Sequence, residues 1–144
     1  MSAPCLFCEI VAGRVPAAIV FEDDRFIAFL DHRPLFPGHV LLLPRDHHAT
    51  LPDLPAEDTG ALFQTARLLS MAVQQATDAH GTFVAVNNRV SQSVPHLHVH
   101  IVPRREKDGL KGFFWPRRKY LDNTELENIQ IAIQQAMQRI SRDK

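Results

Sequence analysis

The sequence predicts an α+β domain: a mostly antiparallel five-stranded sheet with one long helix and a C-terminal helix. Three observations lead there. Five short segments either alternate apolar with polar residues or run apolar between turn residues, as strands do. Two longer segments repeat apolar residues every three or four positions, as amphipathic helices do. The order is strands, helix, strands, helix, which fits hairpin-joined strands with separate helices.

Taken in order, Cys5 to Ala12 reads as one or two helical turns ending at Gly13. Ile19 to Glu22 and Arg25 to Leu30 read as strands, with Glu22-Asp23-Asp24 as the turn of a hairpin. Asp31 to Gly38 holds two prolines and a glycine and reads as a loop. His39 to Leu43, closed by Pro44, reads as a central strand. Pro55 to His80 reads as the long helix: Leu62, Ala66, Leu69, Val73 and Ala76 share a face, Pro55 suits the first helical position and Gly81 a C-terminal cap. Thr82 to Asn87 alternates and reads as a strand, Asn88 to Val94 as a polar loop, and His96 to Val102 as the last strand. Asp122 and Glu125 resemble a capping box, and Leu126, Ile129, Ile133, Ala136 and Ile140 form one helical stripe.

With 144 residues and 45% hydrophobic content the chain has enough apolar material for a single domain, residues 1–144, with a real core. Formal net charge is zero, which argues against a dedicated nucleic-acid or membrane-surface protein. Basic residues do concentrate from Arg104 to Lys119, either as a field for a phosphate-bearing ligand or as a solvated loop. Gly112-Phe113-Phe114-Trp115-Pro116-Arg117 sets aromatics beside bases, for recognition of a base, an acyl chain or a partner, or for packing. The N-terminal residues show no secretory pattern and no apolar stretch reaches membrane-spanning length, so a cytoplasmic protein with reduced thiols is expected. Cys5 and Cys8, the only cysteines, then read as a metal half-site or a redox pair.

The chemistry concentrates in Pro95-His96-Leu97-His98-Val99-His100-Ile101-Val102. On a strand His96, His98 and His100 share one face, roughly 6.5–7 Å apart, and Leu97, Val99 and Ile101 share the other. Imidazole serves as nucleophile, acid, base or metal ligand near neutral pH. The plainer alternatives are a metal-binding tract or chance, and the apolar counter-face to three histidines argues against chance.

Gln92-Ser93-Val94-Pro95-His96-Leu97-His98-Val99-His100-Ile101-Val102-Pro103-Arg104 resembles the signature of the histidine-triad family, nucleotide hydrolases and transferases acting at the α-phosphate. Phe29-Leu30-Asp31, Pro37-Gly38-His39 and Leu43-Pro44-Arg45-Asp46-His47 match its central region in order and spacing, and Cys5-Leu6-Phe7-Cys8 resembles its zinc-binding bacterial members. The likeness covers residues 5–104, leaving 105–144 as an extension. It implies a homodimer with the sheet continued across two subunits and the long helix at the interface.

By this resemblance His98 attacks the α-phosphorus, His100 donates to phosphate or leaving group, and His96 orients His98 or serves a metal. His39 is the fourth active-site histidine by the same likeness; read alone, it is equally a polar residue at a strand start. Asn88, Gln92 and Ser93 match phosphate-binding positions, with Ser93 also placed to protonate the leaving group. Asp31 matches the ribose-binding acid, and Phe7, Ile10 and Phe29 the residues that enclose a purine base. Cys5, Cys8, His47 and His96 make a tetrahedral structural zinc set, His47 being favoured over His48 by its spacing from Pro44. Gln92-Ser93 resembles the phosphoramidases. Two departures stand out. Arg89-Val90-Ser91 precedes Gln92 where many members carry glycines, and Pro95 removes a main-chain donor.

The resemblance therefore implies an enzyme that cleaves a nucleoside phosphoramidate or a dinucleoside polyphosphate. The alternative is a non-catalytic nucleotide- or zinc-binding regulatory protein, which would have no need to keep the nucleophile.

Overall fold

In the computed structural model, which describes residues 4–110 and 117–142, Asp23 closes the first hairpin. Its carboxylate accepts the main-chain N–H groups of Arg25 at 2.9 Å and Phe26 at 2.7 Å. Asp is a turn residue for this reason. The turn absorbs Arg25, so β1 (Ile19–Glu22) pairs antiparallel with β2 (Phe26–Leu30), one residue shorter than its sequence suggests. β3 (Val40–Pro44), β4 (Gly81–Val86) and β5 (Val99–Arg104) complete a five-stranded sheet in the order β1-β2-β3-β5-β4, with every neighbouring pair antiparallel.

The pleat sends alternate residues to two faces. Phe26, Ala28, Val40, Leu42, Val99 and Ile101 pack with Leu62, Ala66, Leu69 and Val73 of the long helix α2 (Ala56–Thr77). Ile27, Phe29, Leu41 and Leu43 pack on the other face with Phe7 and Ile10 of the short helix α1 (Leu6–Val11). Burying such a side chain is worth about 1.5–3 kcal/mol, so the sheet is anchored on both faces. α2 carries Glu57 and Asp58 in its first turn, where carboxylates complement the helix dipole.

Three sequence expectations need correction here. Gly81 does not cap α2. Asp78 does, in the left-handed conformation at φ 52°, and Gly81 opens β4. Ala76 is exposed, because the helix ends at Thr77, before its stripe meets the sheet again. The last strand begins at Val99, so His96 and His98 precede it. Their approach is still extended enough to keep the alternation, with Leu97, Val99 and Ile101 all fully buried in the α2-side core.

The chain forms two compact units, Met1–Asp108 and Gly109–Lys144. The second contains α3 (Asn123–Arg142). Asp122 accepts the Glu125 N–H at 2.8 Å, and the Glu125 carboxylate accepts the Leu121 N–H at 3.1 Å, a capping box displaced by one residue on its return arm. Leu126, Ile129, Ile133 and Ile140 are exposed along it. The stretch from Gly112 to Pro116, and with it most of the aromatic-basic motif, lies outside the described residues. No described helix is long and apolar enough to cross a membrane.

Candidate active site and metal centre

The α1-side face of the sheet assembles the histidines. β5 places His100 opposite Leu41 on β3 and Ala85 on β4. His39, just before β3, reaches it: His39 Nε2 and His100 Nδ1 lie 3.0 Å apart. The proton positions in this pair follow from one main-chain group. Leu35 N–H donates to His39 Nδ1 at 3.1 Å, so Nδ1 carries a lone pair and Nε2 carries the hydrogen. His39 Nε2–H therefore donates to His100 Nδ1, and His100 keeps its hydrogen on Nε2 as a donor. Burial holds both imidazoles below the ordinary histidine range, His100 down to about 4, so both are neutral at pH 7.

Gly38 makes this approach possible. Its φ is 101°, and a Cβ there would stand 2.6 Å from Thr77 Cγ2 at the end of α2. Only glycine fits both constraints.

His98 is buried, with 4% of its surface exposed. Its Nδ1 lies 2.7 Å from the His96 carbonyl oxygen. A carbonyl only accepts, so Nδ1 bears the proton and the lone pair sits on Nε2. Burial lowers the His98 pKa, which keeps that lone pair available at neutral pH. The ring of Phe7 meets the His98 ring edge-on, with centroids 5.0 Å apart.

His96 faces the other way. Its Nε2–H donates to the Pro44 carbonyl at 2.8 Å, which leaves Nδ1 unprotonated. That nitrogen lies 3.4 Å from Cys5 Sγ and 3.6 Å from Cys8 Sγ, and His47 Nδ1 lies 3.4 Å from Cys8 Sγ. One ligand atom from each of Cys5, Cys8, His47 and His96 falls within 4.8 Å of every other. Ordinary Zn–S and Zn–N bonds at tetrahedral angles put sulfur and nitrogen ~3.5 Å apart. The donor set, the His96 tautomer and the spacing all fit a divalent, thiophilic metal. Burial and the adjacent Cys5 push the Cys8 thiol up to about 11, a rise that a bound cation reverses. His48 stays outside the set, and its carbonyl accepts the Leu97 N–H at 2.7 Å.

Asp31, His39 and His100 form a second compact group. Here the Leu35 hydrogen bond puts a proton on His39 Nε2, the atom facing His100, which suits a hydrogen-bond relay.

The remaining expected residues divide. Asp31, Ile10 and Phe29 line one open hollow of ≈ 840 Å³ together with Leu6, Val15 and Ala17. Asp31 gives one oxygen to the Arg33 N–H at 2.9 Å, and its other lies 3.8 Å from His39 Nδ1. Phe7 is buried against Phe29, His96 and His98. Asn88 accepts the Leu51 N–H at 2.9 Å. Gln92 accepts the Arg89 N–H at 3.0 Å and donates to the Ala49 carbonyl at 2.6 Å. Ser93 is exposed on a hollow shared with Cys5, Cys8 and His47. Among the described residues, none of these three side chains hydrogen-bonds to a triad histidine. Sequence reasoning missed the Leu35 N–H and the Pro44 and His96 carbonyls. Main-chain groups leave no signal in residue identity.

The HIT domain family model matches residues 12–107. The chain belongs to the HIT family. This HIT protein is 37% identical over 108 residues to adenylylsulfatase HINT3 of Arabidopsis thaliana, covering 74% of this chain and 55% of the plant protein, little more than half its length. It is 29% identical over 120 residues to the adenosine 5'-monophosphoramidase HNT1 of Candida albicans, covering 79% of each. Among solved structures, a Streptococcus mutans protein superposes with a TM-score of 0.84 at 34% identity, over 95% of this chain and 87% of that one. A zinc-bound histidine-triad protein from Mycobacterium smegmatis superposes with a TM-score of 0.70 at 36% identity, over 79% and 84%. The HIT fold thus accounts for the five-stranded antiparallel sheet with its helices.

Proposed function

We propose that this HIT protein hydrolyses nucleotide conjugates at the α-phosphorus through a covalent nucleotidyl-histidine on His98. The hydrogen bond from His98 Nδ1–H to the His96 carbonyl carries this reading. It leaves Nε2 as the reactive atom of a neutral ring in a buried site. Nε2 attacks phosphorus, and the bond from phosphorus to the leaving nitrogen or oxygen breaks. The leaving group takes a proton relayed from solvent by the Ser93 hydroxyl. Water then attacks phosphorus, the N–P bond breaks, and a nucleoside monophosphate departs. His100 Nε2–H, set by His39, donates to a phosphoryl oxygen as charge builds there.

Asp31 accepts from the ribose hydroxyls, and Ile10 and Phe29 hold a purine in the hollow they share with it. Phe7 closes that pocket from its buried position, while Asn88 and Gln92 hold the phosphate loop in shape. The adenylyl substrates named for the plant and Candida relatives support an adenosine phosphoramidate or adenylyl sulfate, a phosphate–sulfate anhydride, over other conjugates; a dinucleoside polyphosphate is the second substrate to try. Zinc at Cys5, Cys8, His47 and His96 is structural, with no open position for substrate. The catalytic unit is residues 5–104, with 105–144 an extension of the same domain. Two copies pair through the β4 edge and the exposed Phe63, Leu68 and Met71 of α2.

The test is mass spectrometry of protein quenched without acid during turnover of an adenosine phosphoramidate. Wild type should gain the mass of one adenylyl group. His98→Ala should show no adduct and lose turnover by about 10³-fold or more. Near-normal turnover in His98→Ala would remove the mechanism.

A further inference from the structure

The four-ligand cluster and the nucleophile share more than a neighbourhood. His96 contributes to both: its Nδ1 faces the two sulfurs, and its main-chain carbonyl receives the His98 Nδ1–H. α1 contributes to both as well. Cys5 and Cys8 sit one helical turn apart, and Phe7 lies between them in sequence. Its ring stands edge-on to His98 at 5.0 Å with an interplanar angle of 88°, and edge-on to His96 at 5.9 Å. Its other ring neighbour, Phe29, lines the hollow with Asp31.

Two things fix the His98 ring, an acceptor for Nδ1–H and the Phe7 ring packed edge-on to it. Both are attached to the cluster. α1 has six residues, too few to hold a helix by local hydrogen bonds. What holds it is the burial of Phe7 and Ile10, and whatever ties Cys5 and Cys8 to His47 and His96. Outer partners of this kind set ring orientation and tautomer elsewhere in metalloproteins.

We propose that Phe7 and the His96 carbonyl are positioning groups for His98, and that the cluster, with zinc bound, keeps both in register with it. The metal site then acts on the reaction without touching substrate: zinc loss frees α1, slackens the Phe7 contact and lets the His98 ring exchange tautomers. This rests on the reading of His98 as nucleophile, and it assigns Phe7 a task beyond closing the base pocket.

The experiment reads the imidazole directly. Uniformly ¹⁵N-labelled full-length chain, loaded with zinc alone, is compared by long-range ¹H–¹⁵N correlation with the chelated chain and with zinc-loaded Phe7→Leu. Zinc-loaded wild type should give His98 as a single Nδ1–H tautomer. The chelated chain and Phe7→Leu should each give an averaged His98 signal, with His39 and His100 unchanged as Nε2–H rings. Phe7→Leu should still hold one zinc per chain, and its kcat should fall about tenfold or more, beyond any change in KM that comes from its place beside the base pocket. An unshifted His98 signal in Phe7→Leu overturns the proposal. A folded chelated chain that keeps His98 as a single Nδ1–H tautomer overturns the role of the cluster; where chelation unfolds the chain, Cys8→Ser is read in its place, and an unshifted His98 signal there overturns that role as well. A wild type that turns over no nucleotide conjugate defeats the proposed function instead, and the tautomer comparison still reads the positioning.

Discussion

Three histidines of this site have their protons assigned by a main-chain partner, and His100 has its own assigned by His39. His98 gives Nδ1–H to the His96 carbonyl, His96 gives Nε2–H to the Pro44 carbonyl, and His39 receives Leu35 N–H. Neutrality is enforced by burial, and burial has a pH consequence. His100 sits near 4 in the folded chain and near the ordinary ~6.5 when unfolded. Between those values the unfolded chain binds a proton that the folded chain refuses. The His100 contribution is therefore fully present above about 6.5 and is lost as pH falls toward 4. Denaturant midpoints at pH 7.5 and 5 should fall less between the two in His100→Asn than in wild type. Equal falls would show that His100 titrates normally. The three triad positions were legible from alternation alone. Their separate duties were not, because they depend on which carbonyl or N–H each ring meets.

At the scale of elements, the loop before Gln92 departs from the glycine-bearing pattern of the resemblance, and the structure registers the cost. Arg89 and Ser91 adopt positive φ, 71° and 60°, where side chains are strained and glycine is not. Relief of that strain outweighs the entropy glycine loses on folding, so Ser91→Gly should stabilise the chain by up to about 1 kcal/mol. Thermal and denaturant midpoints check this, and a lowered midpoint would mean the Ser91 backbone is held by contacts that favour serine. Helix and strand existence was legible in period and turn residues. Boundaries were not: Asp78 took the left-handed cap expected of Gly81, and the extended chain at His96 and His98 carries no ladder bonds until Val99.

The first compact unit buries both faces of one sheet and, among the described residues, leaves β1 and β4 as its edges. An unpaired edge is a template for another strand. β4 carries the exposed Val84. Sedimentation equilibrium should give twice the chain mass for wild type and a shift toward monomer, by about tenfold or more in Kd, for Val84→Lys. A chain that is monomeric throughout would end the dimer reading. The sheet order, with β5 between β3 and β4, has no local signal in the sequence. The metal set spans 91 residues from Cys5 to His96, so only the family likeness joined its ends.

The stretch from His96 to Ile101 is a two-letter code read in phase. Deleting one residue just before it would turn three imidazoles into the α2-side core and three aliphatic chains into the catalytic face. Shifting it by two would restore the faces but hand each histidine its neighbour's surroundings, a different ring standing between the two sulfurs of Cys5 and Cys8. The length of this segment therefore fixes its two faces as strictly as its letters do.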